Sequence, residues 1–184
     1  PRVRRQRQMC IRDSYRDQGC NVIRLPPLVY DFADKDQVFR DRDAVKLRQV
    51  KLVFAGTTDF KDYLEPMLKA IRKINNNEIK IIFDVVGPSP DAIESMLECS
   101  SPTQYGINCY GHLSHENTLS IVRKADFSVL MRENKRYAKA GVSTKFVEAM
   151  SLAVPSICTA VGGTDAFVTD GVDGVPVSYT HLTL

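Results

Sequence analysis

Five cations, Arg132, Lys135, Arg136, Lys139 and Lys145, surround a small-residue turn, Gly141-Val142-Ser143-Thr144, a few residues before Glu148. A turn that opens a helix leaves the first backbone N–H groups without partners inside the helix. With cations beside it, such an end is a site for phosphate. Gly141, Val142, Ser143 and Thr144 are therefore candidate phosphate contacts, with Arg132, Lys139 and Lys145 among the flanking cations. Glu148 falls on the same helical side as Thr144 and Lys145, away from the Phe146/Met150 stripe. There its carboxylate can accept hydrogen bonds from a pair of hydroxyls such as those of a ribose. The same position also suits a solvated glutamate.

A second polar turn follows the first strand-like run, at Gly56-Thr57-Thr58 with Lys61 just beyond. A lysine at a helix N-terminus opposes the helix dipole unless an anion sits between them. Lys61 is thus either a further anion contact or a surface lysine. No G-x-G-x-x-G and no G-x-x-x-x-G-K-[ST] occurs, so the usual dinucleotide and P-loop readings lose their main support. His112 and His115 flank the start of a helix, where polar residues are ordinary, and no Ser/Asp pattern partners them. No C-x-x-C pair is present, so a structural zinc site is not expected and the cysteines read as free, buried thiols.

The elements that position these residues alternate. "VKLVFAG", Val50–Gly56, is a short apolar run ending in glycine, a buried strand by composition. "KDYLEPMLKAIRKIN" spaces Leu64, Met67, Leu68, Ile71 and Ile74 along one helical face, with Pro66 in the first turns, where proline is tolerated. Strand Ile79–Gly87, helix "PDAIESML", strand "INCYG" and a helix begun by Ser114 follow. "DFSVLM" is a strand, Ser143 caps a helix reaching about Leu152, "PSICTA" is a strand, and "TDAFVTDG" is a short helix ending at Gly171. Strands alternating with helices predict an α/β fold with a doubly wound, parallel, Rossmann-like sheet. Ligands of such sheets bind at the carboxyl ends of the strands, where these glycines fall.

The ends read differently from the middle. Back-translation of "RRQRQMCIRDS" gives a nucleotide string whose opposite strand encodes "VSYTHLTL", Val177 to Leu184. Residues 1–14 and 177–184 are therefore expected to be translated sequencing adapter rather than native protein. The natural protein is then expected to extend beyond both ends, with 15–49 an entry or interdomain segment and 50–176 a domain incomplete at its C-terminus. The whole chain has 25 basic and 22 acidic residues and a net charge of +3. Setting the ends aside removes five arginines and one aspartate, leaving 20 basic and 21 acidic residues, so no nucleic-acid partner is expected. No apolar run approaches the roughly 20 residues that span a bilayer. At most, peripheral membrane contact is expected of the full protein.

"AGVSTKFVEAMSLAVPSICTAVGGTDAFVTDGVDGVPV" resembles the donor-binding signature of GT-B-fold glycosyltransferases of the large retaining family four, E-G-F-G-x-x-x-x-E-A-M-A-x-G-x-P-V-I-A-T-x-x-G-G-x-x-E-x-V-x-D-G-x-N-G. Glu148 matches the second glutamate, and Gly141 the first glycine. "FAGTTDFKD", "VVGPSP" and "CYGHLSHENTLSIVRKADFSVLMRE" resemble the preceding units in order, so the likeness covers roughly Val50 to Pro176. It departs at Ala140, in place of the first glutamate, at Thr57, in place of arginine, and at Ala166, in place of an acid. "RYAKAG-x-x-TK-x-VE" is similar to a subgroup of bacterial surface-polysaccharide assembly that also lacks that glutamate.

The resemblance implies the C-terminal, nucleotide-sugar-binding half of a GT-B enzyme, with Glu148 on the ribose. It places Gly141–Thr144 on the diphosphate with Lys61, Arg132, Lys139 and Lys145 as countercharges, and Gly56, Thr57, Gly162 and Gly163 as loop contacts to the donor sugar. It implies a cytoplasmic protein at the inner membrane face, needing no metal and no cofactor beyond the nucleoside-diphosphate sugar it uses as substrate. The acceptor, a glycan or glycolipid, would be held by an amino-terminal domain, so the chain alone is expected to be inactive. A sugar-nucleotide epimerase of similar architecture, and a non-catalytic domain that has lost donor binding, are the alternatives.

Overall fold

A computed structural model describes residues 15–21, 49–57, 62–135, 138, 142–161, 164 and 167–177. The strands are β1 (Val50–Ala55), β2 (Ile81–Val86), β3 (Ile107–Gly111), β4 (Phe127–Leu130), β5 (Ser156–Thr159) and β6 (Gly174–Val177). The helices between them are α1 (Leu64–Ile74), α2 (Pro90–Leu97), α3 (His115–Lys124) and α4 (Thr144–Ser151), with a 3-10 turn at Pro102–Tyr105. All strand pairs of the sheet are parallel, in the order β3-β2-β1-β4-β5-β6. This is the doubly wound order with its switch point between β1 and β4.

Side-chain alternation along β1 sorts the two layers. Leu52 and Phe54 join Phe83, Val85 and Ile107 beneath α1 and α2, contributed by Leu64, Leu68, Ile71, Ile93 and Leu97. Val53 faces the other way, onto Val122 of α3 and Ala149 of α4. Leu130 and Cys158 continue that second layer against Phe146. Strand β1 is thus covered on both faces, the usual environment of a central parallel strand.

Local chemistry sets the helix ends. Ser89 and Ser114 cap α2 and α3, each hydroxyl accepting from the N–H three residues on, at 3.2 and 3.3 Å. Pro90 opens α2, and Glu98 closes it in a left-handed conformation, φ 50°. Asn75 ends α1 and is almost fully buried. Its amide donates to the carbonyls of Ile81 (2.6 Å) and Tyr105 (2.7 Å). Its oxygen accepts from the N–H groups of Lys80 (3.0 Å) and Ile81 (3.1 Å). One side chain therefore joins α1, β2 and the turn before β3.

Several expectations change. Ile74 is 48% exposed rather than part of the apolar face of α1, because it lies in the last turn beyond the sheet. Ser143 occupies the N-cap of α4, but its hydroxyl makes no capping hydrogen bond. The helix expected over 164–171 is not formed at Phe167–Gly171. There Asp173 accepts the Thr169 N–H at 2.6 Å, and Gly171 donates to the Gly174 carbonyl at 3.0 Å, which closes a turn into β6. β6 itself was not anticipated. Cys20 is exposed, Cys99 and Cys109 are half-buried, and only Cys158 among the described cysteines is buried; all four are free. Most of the entry segment expected over 15–49 lies outside the described residues.

Candidate functional site

The carboxyl ends of β1, β2 and β3 are stitched together by glycines. Gly56 donates its N–H to the Val86 carbonyl (2.9 Å), and Gly87 donates to the Gly111 carbonyl (2.8 Å). Gly87 has φ +115°, and a Cβ there would lie 1.9 Å from the Gly56 carbonyl oxygen. Only glycine lets these two backbones approach so closely. The chain leaving β1 is thereby held low over the strand ends, with Thr57 exposed at the rim.

Beyond that turn the chain returns against the end of β4. Tyr63 donates its N–H to the Met131 carbonyl at 2.9 Å, and Asp62 forms an antiparallel bridge with Arg132. The Asp62 side chain is only 5% exposed, and each of its oxygens takes a different cation. Oδ1 accepts from Arg132 Nε at 2.9 Å, and Oδ2 from Lys145 Nζ at 2.7 Å. A buried carboxylate requires such partners, since leaving it unpaired is costly.

Both cations are themselves fixed. The Arg132 N–H donates to the buried Thr159 hydroxyl (2.9 Å), which donates back to the Arg132 carbonyl (3.0 Å), locking the end of β4 to that of β5. Lys145 rises from the first turn of α4, and its ammonium lies 5.0 Å from the centroid of the Phe54 ring. It threads past Gly56, where an added Cβ would fall 1.7 Å from Nζ. Gly56 thus serves the site through Lys145 as well as through its turn.

Glu148 lines a crevice between α3 and α4 at the switch point, together with Lys145, Ala55, Thr118 and Leu119. Its carboxylate has no hydrogen bond or ion pair to another described residue. Ser143, at the opening of α4, is 5% exposed, and its Oγ is the one buried side-chain polar atom without a partner among the described residues. Val142 is half-buried and Thr144 exposed at the same helix end. The crevice therefore holds Lys145 and Glu148 one turn apart on α4, with Arg132 joined to Lys145 through Asp62 and the α4 opening at Ser143 just ahead of Lys145 in the chain. That set suits an anionic group carrying a neighbouring diol.

Of the sequence candidates, Gly56, Arg132, Val142, Ser143, Thr144, Lys145 and Glu148 are brought to this end of the sheet, with Thr57 at its rim. Lys61, Lys139, Gly141, Gly162 and Gly163 lie outside the described residues, as do Ala140 and Ala166. Sequence reasoning missed Asp62, because a lone acid in "FKDY" carries no spacing signal. It also did not rank the cations, whereas the fold pairs Arg132 with Lys145 and draws Lys135 aside to Glu133. His112 and His115 are exposed around the start of α3.

The family profile described as "Glycosyl transferases group 1" matches residues 49–181. No curated protein sequence matches the chain. Among solved structures, WaaG, a glycosyltransferase involved in lipopolysaccharide biosynthesis, is similar with a TM-score of 0.60 at 19% identity, covering 86% of this chain and 44% of that one. The lipopolysaccharide outer core galactosyltransferase WaaB, in its apo form, gives a TM-score of 0.62 at 13% identity over 94% of this chain and 47% of its own. Anabaena Alr3699/HepE in complex with UDP gives 0.53 at 13% identity, covering 71% and 35%. These likenesses establish a shared fold. The chain spans less than half the length of each.

Proposed function

Since the chain belongs to the family of glycosyl transferases group 1, we propose that its crevice binds a nucleoside-diphosphate sugar donor. The observation that carries this reading is that Lys145, held together with Arg132 on Asp62, shares a crevice with Glu148 at the switch point of the sheet, in the first turns of α4. The diphosphate lies against the opening of α4 at Val142, Ser143 and Thr144. Arg132 and Lys145 supply countercharge, joined by Lys61, Lys139 and Gly141. Glu148 accepts the ribose hydroxyls. Gly56, Thr57, Gly162 and Gly163 border the sugar.

In the transfer, the bond between the sugar and the diphosphate breaks, and negative charge grows on the departing diphosphate. Fixed cations and helix N–H groups aimed at that charge stabilise the transition state, and they do so without reorganising. The scheme draws its countercharge from the protein rather than from a metal. The acceptor hydroxyl, on a glycan or glycolipid in polysaccharide assembly, is presented by a further domain, so the 184-residue chain alone binds donor without transferring sugar. UDP is the first nucleotide to try, because the Anabaena fold neighbour was solved with it.

The test is ligand-observed NMR with UDP, GDP and ADP on the full chain and on Glu148→Ala, after circular dichroism has shown both to be folded. Binding of one diphosphate that weakens at least tenfold in the variant is the expected result. A folded protein that binds none of the three, or binds equally well without Glu148, returns that residue to ordinary surface and favours a domain that has lost donor binding.

A further inference from the structure

We propose that Asp62 is the positioning residue of the diphosphate site, its buried carboxylate holding Arg132 and Lys145 together so that both serve one anion. The inference rests on the donor-site reading above. Its own basis is geometric. Asp62 is 5% exposed, while Arg132 and Lys145 are 17% and 28% exposed at their side chains, so the acid lies behind and the cations lie in front. Among the described residues, each carboxylate oxygen engages one cation, at 2.9 and 2.7 Å. Arg132 is engaged through Nε rather than through its terminal nitrogens.

One cation suffices to neutralise a buried carboxylate, yet this cluster holds two and carries a net positive charge. Residues 62 and 145 are 83 positions apart, so the contact is made by the topology and not by a local turn. A long lysine side chain ordinarily loses rotamer freedom when it meets an anion. Here the Asp62 contact, the Phe54 ring and the bare Cα of Gly56 restrict it beforehand. The excess charge of the cluster is then available at the crevice that Lys145 shares with Glu148.

The opposite role, in which Asp62 competes with the anion for its cations, predicts the opposite sign in a single substitution. The measurement is calorimetric titration of the full chain with inorganic pyrophosphate and with UDP. The proteins are the wild type, Asp62→Asn, Asp62→Glu, the pair Arg132→Gln/Lys145→Met, and that pair combined with Asp62→Asn. Partners that hold a ligating group from behind typically alter affinity by about 10–100-fold at metal sites. A loss of about that size is expected for Asp62→Asn, with partial recovery in Asp62→Glu. In the Arg132→Gln/Lys145→Met background, Asp62→Asn is expected to change nothing, which a merely structural role would not produce.

Equal or tighter binding by Asp62→Asn overturns the proposal, and so does an equal loss in the background lacking both cations. If Asp62→Asn fails to fold, Asp62→Glu is read instead, since its added methylene displaces both cations; undiminished affinity there overturns the proposal. If the wild type binds neither probe, the donor-site reading falls, and the Arg132 Nε–H resonance in a ¹⁵N NMR spectrum decides the clamp alone. Its loss in the Asp62 variant upholds the clamp, and an unchanged resonance overturns it.

Discussion

Gly56→Ala separates the stability of the fold from the work of the site. Gly56 has no positive φ, so alanine accepts its backbone, and stiffening the unfolded chain favours the variant by about 0.4–1 kcal/mol. The added Cβ, however, would lie 1.7 Å from Lys145 Nζ and 2.5 Å from Cε. A flexible side chain yields before backbone does, so Lys145 swings away and its 2.7 Å contact with Asp62 is lost. A hydrogen bond to a charged group contributes about 1.5–3 kcal/mol, and Arg132 still holds the carboxylate. The net loss is then about 1–2 kcal/mol. At roughly 2–4 °C per kcal/mol for a chain of this size, the unfolding midpoint falls by only a few degrees.

Gly87→Ala is the matched comparison. There the Cβ would meet the Gly56 carbonyl at 1.9 Å, backbone against backbone, at φ +115°. No rotamer relieves that clash, and the fold loses more than it does in Gly56→Ala. Differential scanning fluorimetry ranks the two variants, and UDP titration reads the site. The expected pattern is near-native stability with at least tenfold weaker binding for Gly56→Ala, and a clearly lower midpoint for Gly87→Ala. Native-like UDP affinity in Gly56→Ala would refute the role given to Lys145. Equal destabilisation of the two would refute the distinction between yielding side chain and unyielding backbone.

Asn75→Ala removes four hydrogen bonds and strands their backbone partners in a buried turn, which at about 1 kcal/mol or more each costs roughly 3–5 kcal/mol in urea unfolding. Asn75→Asp also destabilises at neutral pH, because a carboxylate cannot donate to the Ile81 and Tyr105 carbonyls. Ser143→Ala leaves the midpoint unchanged or slightly raised, since it deletes a buried hydroxyl that has no described partner, yet it weakens UDP binding in the same titration. Burial pushes the Cys158 and Cys109 thiols above their ordinary value of 9.0. Folded pKa values raised in this way contribute stability that is complete below the unfolded thiol value and lost as pH climbs through the folded one. Urea midpoints are therefore expected to decline above about pH 9, and thiol titration at neutral pH to label exposed Cys20 well before Cys158.

Periodicity made the layers legible. The spacing of Leu64, Met67, Leu68 and Ile71 marks the buried face of α1, and the apolar runs ending at Gly56, Gly87 and Gly111 mark three strands with their ligand-facing ends. Short elements carried less signal. β6 has four residues, one of them proline, and its pairing with β5 is specified by the neighbouring strand rather than by its own composition. The turn before it was misread as a helix because "TDAFVTDG" has helix-like spacing. What the spacing does not contain is the Asp173 side chain folding back on Thr169 and the Gly171–Gly174 closure, both of which end helical pairing.

The site divides along the same physical line. Glu148, Ser143 and Thr144 sit within one helix and its opening, so a local reading of residue type and spacing places them correctly relative to one another. Asp62 and Arg132 are 70 positions apart, and Gly56 and Lys145 are 89 apart by number; they meet because β1 and β4 are neighbours in the sheet. In an order that ran 1-2-3-4, β4 would lie beside β3, and the residues following β1 would have no cation from β4 to meet. The strand order therefore creates the charge cluster as much as the residues do. A substitution that shifted β4 against β1 by one residue would separate Arg132 from Asp62 without altering any residue of the site. Ser128, which faces Val53 in the register of that pair and bonds Ser156 across the next one, is where such a slip would begin.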